Sequence, residues 1–136
     1  QICVASGDKI FTNQENIKPL GHSLECRINA ESPINFRPSA GKIEMYHPPA
    51  GNGIRLDTFI YSGYTVPHYY DNLLAKLIVT GRTRNHAIKR ALRSLNEIVI
   101  DGIETNIELH KKILASSEFK NGAVAINWLE NNIDSL

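Results

Sequence analysis

Arg27 is the residue of this sequence best placed to do chemistry. It stands in Ser23-Leu24-Glu25-Cys26-Arg27-Ile28-Asn29-Ala30-Glu31, where Leu24, Cys26, Ile28 and Ala30 alternate with Ser23, Glu25, Arg27, Asn29 and Glu31. Strict alternation describes an extended strand with one apolar and one polar face. A one-residue slip would bury the charged set, so the register is well specified. Same-face residues lie about 7 Å apart. A guanidinium held on such a strand offers a planar pair of N–H donors to an anion or a carbonyl oxygen. The plainer alternative is a solvated face with Glu25 and Arg27 loosely paired, worth little energetically. On pattern alone the plainer reading has the better odds.

Other candidates carry less. Tyr69-Tyr70-Asp71 puts an acid after two amphipathic aromatics at a loop-to-strand join. Functional residues collect on such loops, and an Asp there serves equally well to satisfy loop N–H groups. Arg82, Arg84, Lys89, Arg90 and Arg93 lie on or beside the first long helix. They form either a stripe for phosphates or another acidic partner, or a solvated face with cations toward the helix C-terminus. His22, His47, His68, His86 and His110 share no ligand spacing with one another or with a cysteine, so no metal site is expected. His110 lies on the same helix side as Ile107 and Leu114 and reads as a half-buried packing residue. There is no phosphate loop, dinucleotide fingerprint or nucleophile elbow. Gly51-Asn52-Gly53 falls between two strands and is expected to close a hairpin.

The elements that must hold these residues come strands first. Ser23–Ala30, Lys42–His47, Ile54–Tyr61 and Lys76–Thr80 alternate or are β-branched, and the second and third are expected to pair as a hairpin across Pro48–Gly53. The period then changes. Ile88, Ala91, Leu92 and Leu95 follow helical spacing behind Thr83 as N-cap. Ile98-Val99-Ile100 is a short strand stopped by Asp101-Gly102. Thr105-Asn106-Ile107-Glu108 has the form of a capping box starting a helix to about Ala115, and Ala125–Asn132 reads as a short final helix. Strands followed by helices predict an α+β fold with a mostly antiparallel sheet.

At 136 residues, 42% hydrophobic and 21% charged, the composition is that of one ordinary globular domain. A formal net charge of +1 gives no global electrostatic case for nucleic acid or membrane, and no apolar run is long enough to span a bilayer. Cys3 and Cys26 have no zinc or redox spacing. Cys26 sits in the apolar register of its strand and is expected to be a buried free thiol, which suits a reducing cytoplasm. The chain starts at Gln1, its only methionine is Met45, and Ile2, Val4, Ala5 and Gly7 read as the last turn of a helix with a glycine past its end. The expectation is a piece of a longer polypeptide.

Taken together, several motifs resemble a known family. Gly21 through Glu31, then Phe36-Arg37-Pro38-Ser39-Ala40-Gly41-Lys42-Ile43, Gly63-Tyr64-Thr65-Val66-Pro67, Tyr69-Tyr70-Asp71, Ala75-Lys76-Leu77-Ile78, and Asp101-Gly102-Ile103 with Thr105-Asn106 are similar, in order and spacing, to the C-terminal domain of biotin carboxylase. The likeness is strongest to the bacterial acetyl-CoA carboxylase subunit, an enzyme of fatty-acid synthesis. It implies residues 1–136 of an ATP-grasp enzyme that uses Mg-ATP and bicarbonate to carboxylate biotin on its carrier protein, in a homodimer. The ATP-grasp and N-terminal domains, with the metal ligands and most nucleotide contacts, are absent from this chain. The fragment alone is therefore expected to be inactive and to bind no cofactor tightly. The resemblance gives Arg27 contacts with bicarbonate or product and with the ureido oxygen of biotin. It puts Ile126 on the adenine ring of ATP, with Asn127 where some relatives carry histidine. Asp71 falls at the biotin entrance, and Asn52 and Arg55 at the subunit contact. The runner-up is an independent binding or scaffold module using the basic helix face.

Overall fold

The computed structural model describes residues 1–135. Helix α1 (Ile2–Ala5) and a 3₁₀ turn (Gln14–Asn16) precede β1 (His22–Asn29), and none of residues 1–20 is buried. β2 (Gly41–Lys42), β3 (Met45–His47), β4 (Ile54–Thr58), β5 (Thr65–Val66) and β6 (Leu73–Gly81) follow. Then come α2 (Arg84–Glu97), β7 (Val99–Asp101), α3 (Ile107–Ala115), α4 (Ser117–Asn121), α5 (Trp128–Asn132) and a closing 3₁₀ turn. Every strand pair is antiparallel: a three-stranded sheet in the order β1-β6-β4, and two small ribbons, β2-β5 and β3-β7. The α+β expectation holds.

The apolar faces assemble two adjoining cores. Cys26 and Ile28 of β1 and Ala75, Leu77 and Val79 of β6 meet Ile88, Ala91 and Leu95 of α2, with Ile107 and Leu114 of α3 closing the edge. α2 begins where expected, Thr83 Oγ1 accepting from the His86 N–H at 3.2 Å. The second core is Ala30, Ile43, Ile60, Val66 and Leu74. A bulge divides the two. Ile28 pairs with Ala75 but Asn29 with Leu73, so Leu74 is the extra residue. The consecutive residues Leu74 and Ala75 thereby serve different cores.

Three expectations are corrected. The Lys42–His47 and Ile54–Tyr61 strands do not pair, and Gly51–Gly53 closes no hairpin. The first splits around buried Ile43, whose N–H donates to the Tyr64 carbonyl at 2.8 Å, while the Glu44 N–H donates to the Asp101 carbonyl at 2.8 Å. β4 instead lies beside β6, so that Ile54 and Leu56 pack on the first core. The capping box does not form either: α3 starts one residue later, at Ile107, and the Asn106 side chain at its N-cap makes no capping bond. That side chain bonds β1 instead. Finally, the last helix shortens to Trp128–Asn132, and α4 appears between Ser116, whose Oγ accepts from the Phe119 N–H at 3.3 Å, and Gly122 in the left-handed conformation. Five residues are too few for periodicity to reveal.

Candidate functional site

Arg27 is exposed on the face of the three-stranded sheet opposite α2. The register sets it beside Lys76, with Asp57 beyond, and sets Glu25 beside Ile78 with Arg55 beyond. The loose Glu25–Arg27 pair does not form. Among the described residues the ion pairs are Arg55–Asp57, Arg93–Glu97 and Glu108–Lys111, and the Arg27 guanidinium takes part in none. Asp57 is already engaged: Arg55 forks onto it with Nε–Oδ1 at 2.7 Å and Nη2–Oδ2 at 2.8 Å. That hydrogen bonding, helped by the charges of Arg55 and Lys76, holds the Asp57 carboxyl below its usual range. Like charges opposite one another in a sheet repel. The Arg27–Lys76 pair is therefore a surface that a bound anion or polarised oxygen would relieve.

While the guanidinium is free, the backbone beneath it is fixed. β1 is an edge strand, and its outward peptide groups need partners other than a ladder. Asn106 supplies them. Its Oδ1 accepts from the Asn29 N–H at 2.9 Å, and its Nδ2 donates to the Arg27 carbonyl at 3.1 Å and to Glu31 Oε1 at 3.0 Å. Its own N–H donates to the Asn29 carbonyl at 3.3 Å. The carboxamide thus substitutes for the peptide group of a neighbouring strand, and it is buried, 6% exposed. One helical turn on, His110 Nε2 donates to the same Arg27 carbonyl at 2.9 Å. A carbonyl oxygen only accepts, so Nε2 carries the proton. Burial lowers the His110 pKa below its ordinary value, against the opposing pull of that bond and of the Glu31 charge. Glu31 is further held by Asn72 Nδ2 at 2.7 Å and Asn29 Nδ2 at 3.2 Å.

The remaining sequence candidates scatter. Asp71 is exposed, and its Oδ1 accepts from the Leu73 N–H at 3.1 Å, shaping the entry to β6. Ile126 is fully exposed on the link between α4 and α5, outside both cores, and Asn127 sits at the α5 N-cap without a capping bond. Asn52 borders a shallow 380 Å³ cavity with His86, Lys89, Arg90 and Arg93, and Arg55 is engaged by Asp57. Arg27 is not brought together with Ile126 or Asn52 by any hydrogen bond or core cluster. The basic helix is largely committed internally. Arg84 donates to the Phe119 carbonyl at 2.6 Å and lies over the Phe119 ring. Arg90 bonds the Thr80 carbonyl, and Arg93 pairs with Glu97 at 2.6 Å. A polyanion-binding stripe loses most of its cations this way. Cys26 is a buried free thiol with a pKa raised by burial to about 11; Cys3 is free and exposed.

Sequence reasoning missed Asn106 and His110 as neighbours of Arg27. Their four-residue spacing, which puts both on one helix face, is the one available signal, and the capping-box pattern over Thr105–Glu108 pointed elsewhere.

Comparison with known proteins bears on the whole chain. The family profile "Biotin carboxylase C-terminal domain" matches residues 25–131. The chloroplastic biotin carboxylase of Arabidopsis thaliana is 51% identical over 137 residues, covering 100% of this chain and 26% of the plant protein. The biotin carboxylase of Haemophilus influenzae is 49% identical over 133 residues, covering 98% of this chain and 30% of its own length. Among solved structures, the biotin carboxylase domain of Hydrogenobacter thermophilus 2-oxoglutarate carboxylase, in complex with MgADP, ADP and bicarbonate, superposes with a TM-score of 0.90. It is 39% identical and is matched over 97% of this chain and 29% of that one. The chain thus spans less than a third of the length of these relatives. With a profile match over most of its length and the α+β architecture of its structural neighbours, the chain belongs to the biotin carboxylase C-terminal domain family.

Proposed function

We propose that this chain is the C-terminal part of an enzyme that carboxylates biotin on a carrier protein, using ATP and bicarbonate. The observation that carries the reading is Arg27: an exposed, uncommitted guanidinium on a fixed strand, within the motif that matches the family. In this reaction bicarbonate is phosphorylated to carboxyphosphate, which releases CO2 and phosphate, and biotin supplies the ureido nitrogen that takes up the CO2. Arg27 donates its paired N–H groups to the ureido oxygen as negative charge develops there, in the manner of an oxyanion-hole donor. Its planar fork suits that task better than an ammonium. Fully exposed Ile126 offers an apolar face to the adenine ring, and Asp71 borders the biotin entrance. Mg²⁺ and the nucleotide phosphates fall to the ATP-grasp domain. In the complete enzyme, Arg27→Ala is expected to lower biotin carboxylation by about 3 kcal/mol, a hundredfold or more, while bicarbonate-dependent ATP cleavage suffers less. Unchanged biotin-dependent turnover would refute the role. The 136 residues alone are expected to hydrolyse no ATP in response to bicarbonate; measurable hydrolysis would overturn the division of labour between domains.

The finer reading is a biotin carboxylase subunit of acetyl-CoA carboxylase, cytoplasmic, homodimeric and served by a biotin carboxyl carrier protein. Identities of 49–51% to proteins named biotin carboxylase support it, against 39% to the 2-oxoglutarate carboxylase domain. The free Cys3 and Cys26 suit a reducing compartment, and no described helix is long and apolar enough to cross a membrane. At the subunit contact assigned to Asn52 and Arg55, the Arg55–Asp57 pair is exposed and costs little to exchange for a partner's carboxylate.

A further inference from the structure

The Arg27 carbonyl receives two donors from one helix, Asn106 Nδ2 at 3.1 Å and His110 Nε2 at 2.9 Å. Both bonds act one residue before the β6 bulge, where the register of β1 against β6 shifts between Ile28 and Asn29. A bulged edge is the part of a sheet most free to change pairing. Here it is held by α3 and by the Asn29–Glu31–Asn72–Asn106 hydrogen bonds instead of by a neighbouring strand. We propose that Asn106 and His110 are positioning residues: they fix the peptide of Arg27 so that its guanidinium meets the reacting oxygen without first being ordered. This rests on the role of Arg27 given above. A group that must hold developing charge needs placement to within about half an ångström, and small displacements cost turnover steeply. Neither residue touches the reactants, and the bond from His110 survives in both protonation states because Nε2 keeps its hydrogen in each.

The test uses the complete enzyme, free biotin as acceptor, and bicarbonate-dependent ATP hydrolysis without biotin as the reference reaction. His110→Phe keeps a ring but removes the donor, and His110→Gln restores an N–H. His110→Phe is expected to lower kcat for biotin carboxylation about tenfold, to change the reference reaction less than about twofold, and to leave KM for ATP alone. His110→Gln should recover most of the loss, and Asn106→Ala should show the same selective pattern as His110→Phe. Arg27→Ala runs alongside. If it leaves biotin carboxylation intact, the role of Arg27 fails and this inference with it. If Arg27→Ala is crippled while His110→Phe and Asn106→Ala are not, only the positioning role is overturned. Equal losses in both reactions, tracking a lower Tm and unrelieved by His110→Gln, would make the two residues merely structural and also overturn it.

Discussion

The Asn106 network makes a prediction whose sign changes with pH. In Asn106→Ala, the Arg27 carbonyl keeps His110, Glu31 Oε1 keeps Asn29 Nδ2, and only the Asn29 N–H loses its sole side-chain acceptor. One orphaned buried donor costs about 1–3 kcal/mol. Asn106→Asp retains that acceptor but replaces a donor 3.0 Å from Glu31 Oε1 with a second carboxylate oxygen. Two unit charges at that distance repel by about 5 kcal/mol at an effective dielectric of 20, before the pair relaxes apart. At neutral pH the Asp variant is therefore the less stable of the two. The introduced carboxyl has a folded-state pKa raised above its unfolded value of about 3.9. Its favourable contribution is thus fully present below about pH 4 and lost as the pH rises through the raised value. Once protonated it donates to Glu31 in a charge-assisted bond. Urea unfolding of both variants from pH 4.5 to 8 should give curves that cross, Ala the more stable at pH 7.5 and Asp at pH 4.5. Comparing the two at each pH cancels the acid sensitivity of the rest of the chain. Parallel curves, or an Asp variant the more stable throughout, would mean that residue 106 does not face Glu31.

Two further outcomes follow from packing and burial. A Cβ on Gly81 would lie 2.6 Å from the Ala87 nitrogen and 3.0 Å from its Cα, backbone that cannot swing aside; Gly81→Ala should cost about 1–3 kcal/mol or more, and an unchanged urea midpoint would contradict the close approach of β6 to α2. Cys3 should react at once with a thiol reagent in the folded chain and Cys26 only on unfolding. The Cys26 pKa rises from 9.0 to about 11 on folding, so its contribution to stability is present below pH 9 and lost as the pH climbs toward 11; Cys26→Ser should flatten that part of the stability curve.

Local periodicity was enough to assign faces and little else. Leu24, Cys26 and Ile28 point to the core as their alternation requires, and the helix behind Thr83 forms because capping residue and apolar spacing agree. Strand partners were not legible, because alternation says which side is buried and not against whom. Ile54 and Ile43 look alike in sequence, yet one joins the α2 core and the other the core of Ile60 and Val66. Asn106 misled for a related reason. A capping box is a local solution for orphan N–H groups, and here a long-range one, the open edge of β1, took the side chain instead. For the site, the pattern found Arg27 and its face, but whether Glu25 would neutralise it depended on side-chain placement that no spacing encodes.

The polar face explains why an unpaired Arg27 is tolerable in a sheet. An arginine loses about 2 kcal/mol of rotamer freedom when fully ordered, so a free guanidinium is the cheaper state until a ligand arrives. A carboxylate within reach would order it early and neutralise the charge, and Glu31, four residues along the same polar alternation, is the obvious threat. Three carboxamides hold Glu31 instead, those of Asn29, Asn72 and Asn106, while Asp57 is occupied by Arg55. Every described acid near the strand with a recorded partner is thus engaged by something other than Arg27. The arrangement restrains the backbone and leaves the side chain available. Removing one carboxamide should therefore do more than loosen the strand: a Glu31 released from Asn72 or Asn106 becomes a competitor for Arg27, and turnover would fall through neutralisation of the donor even where the fold survives.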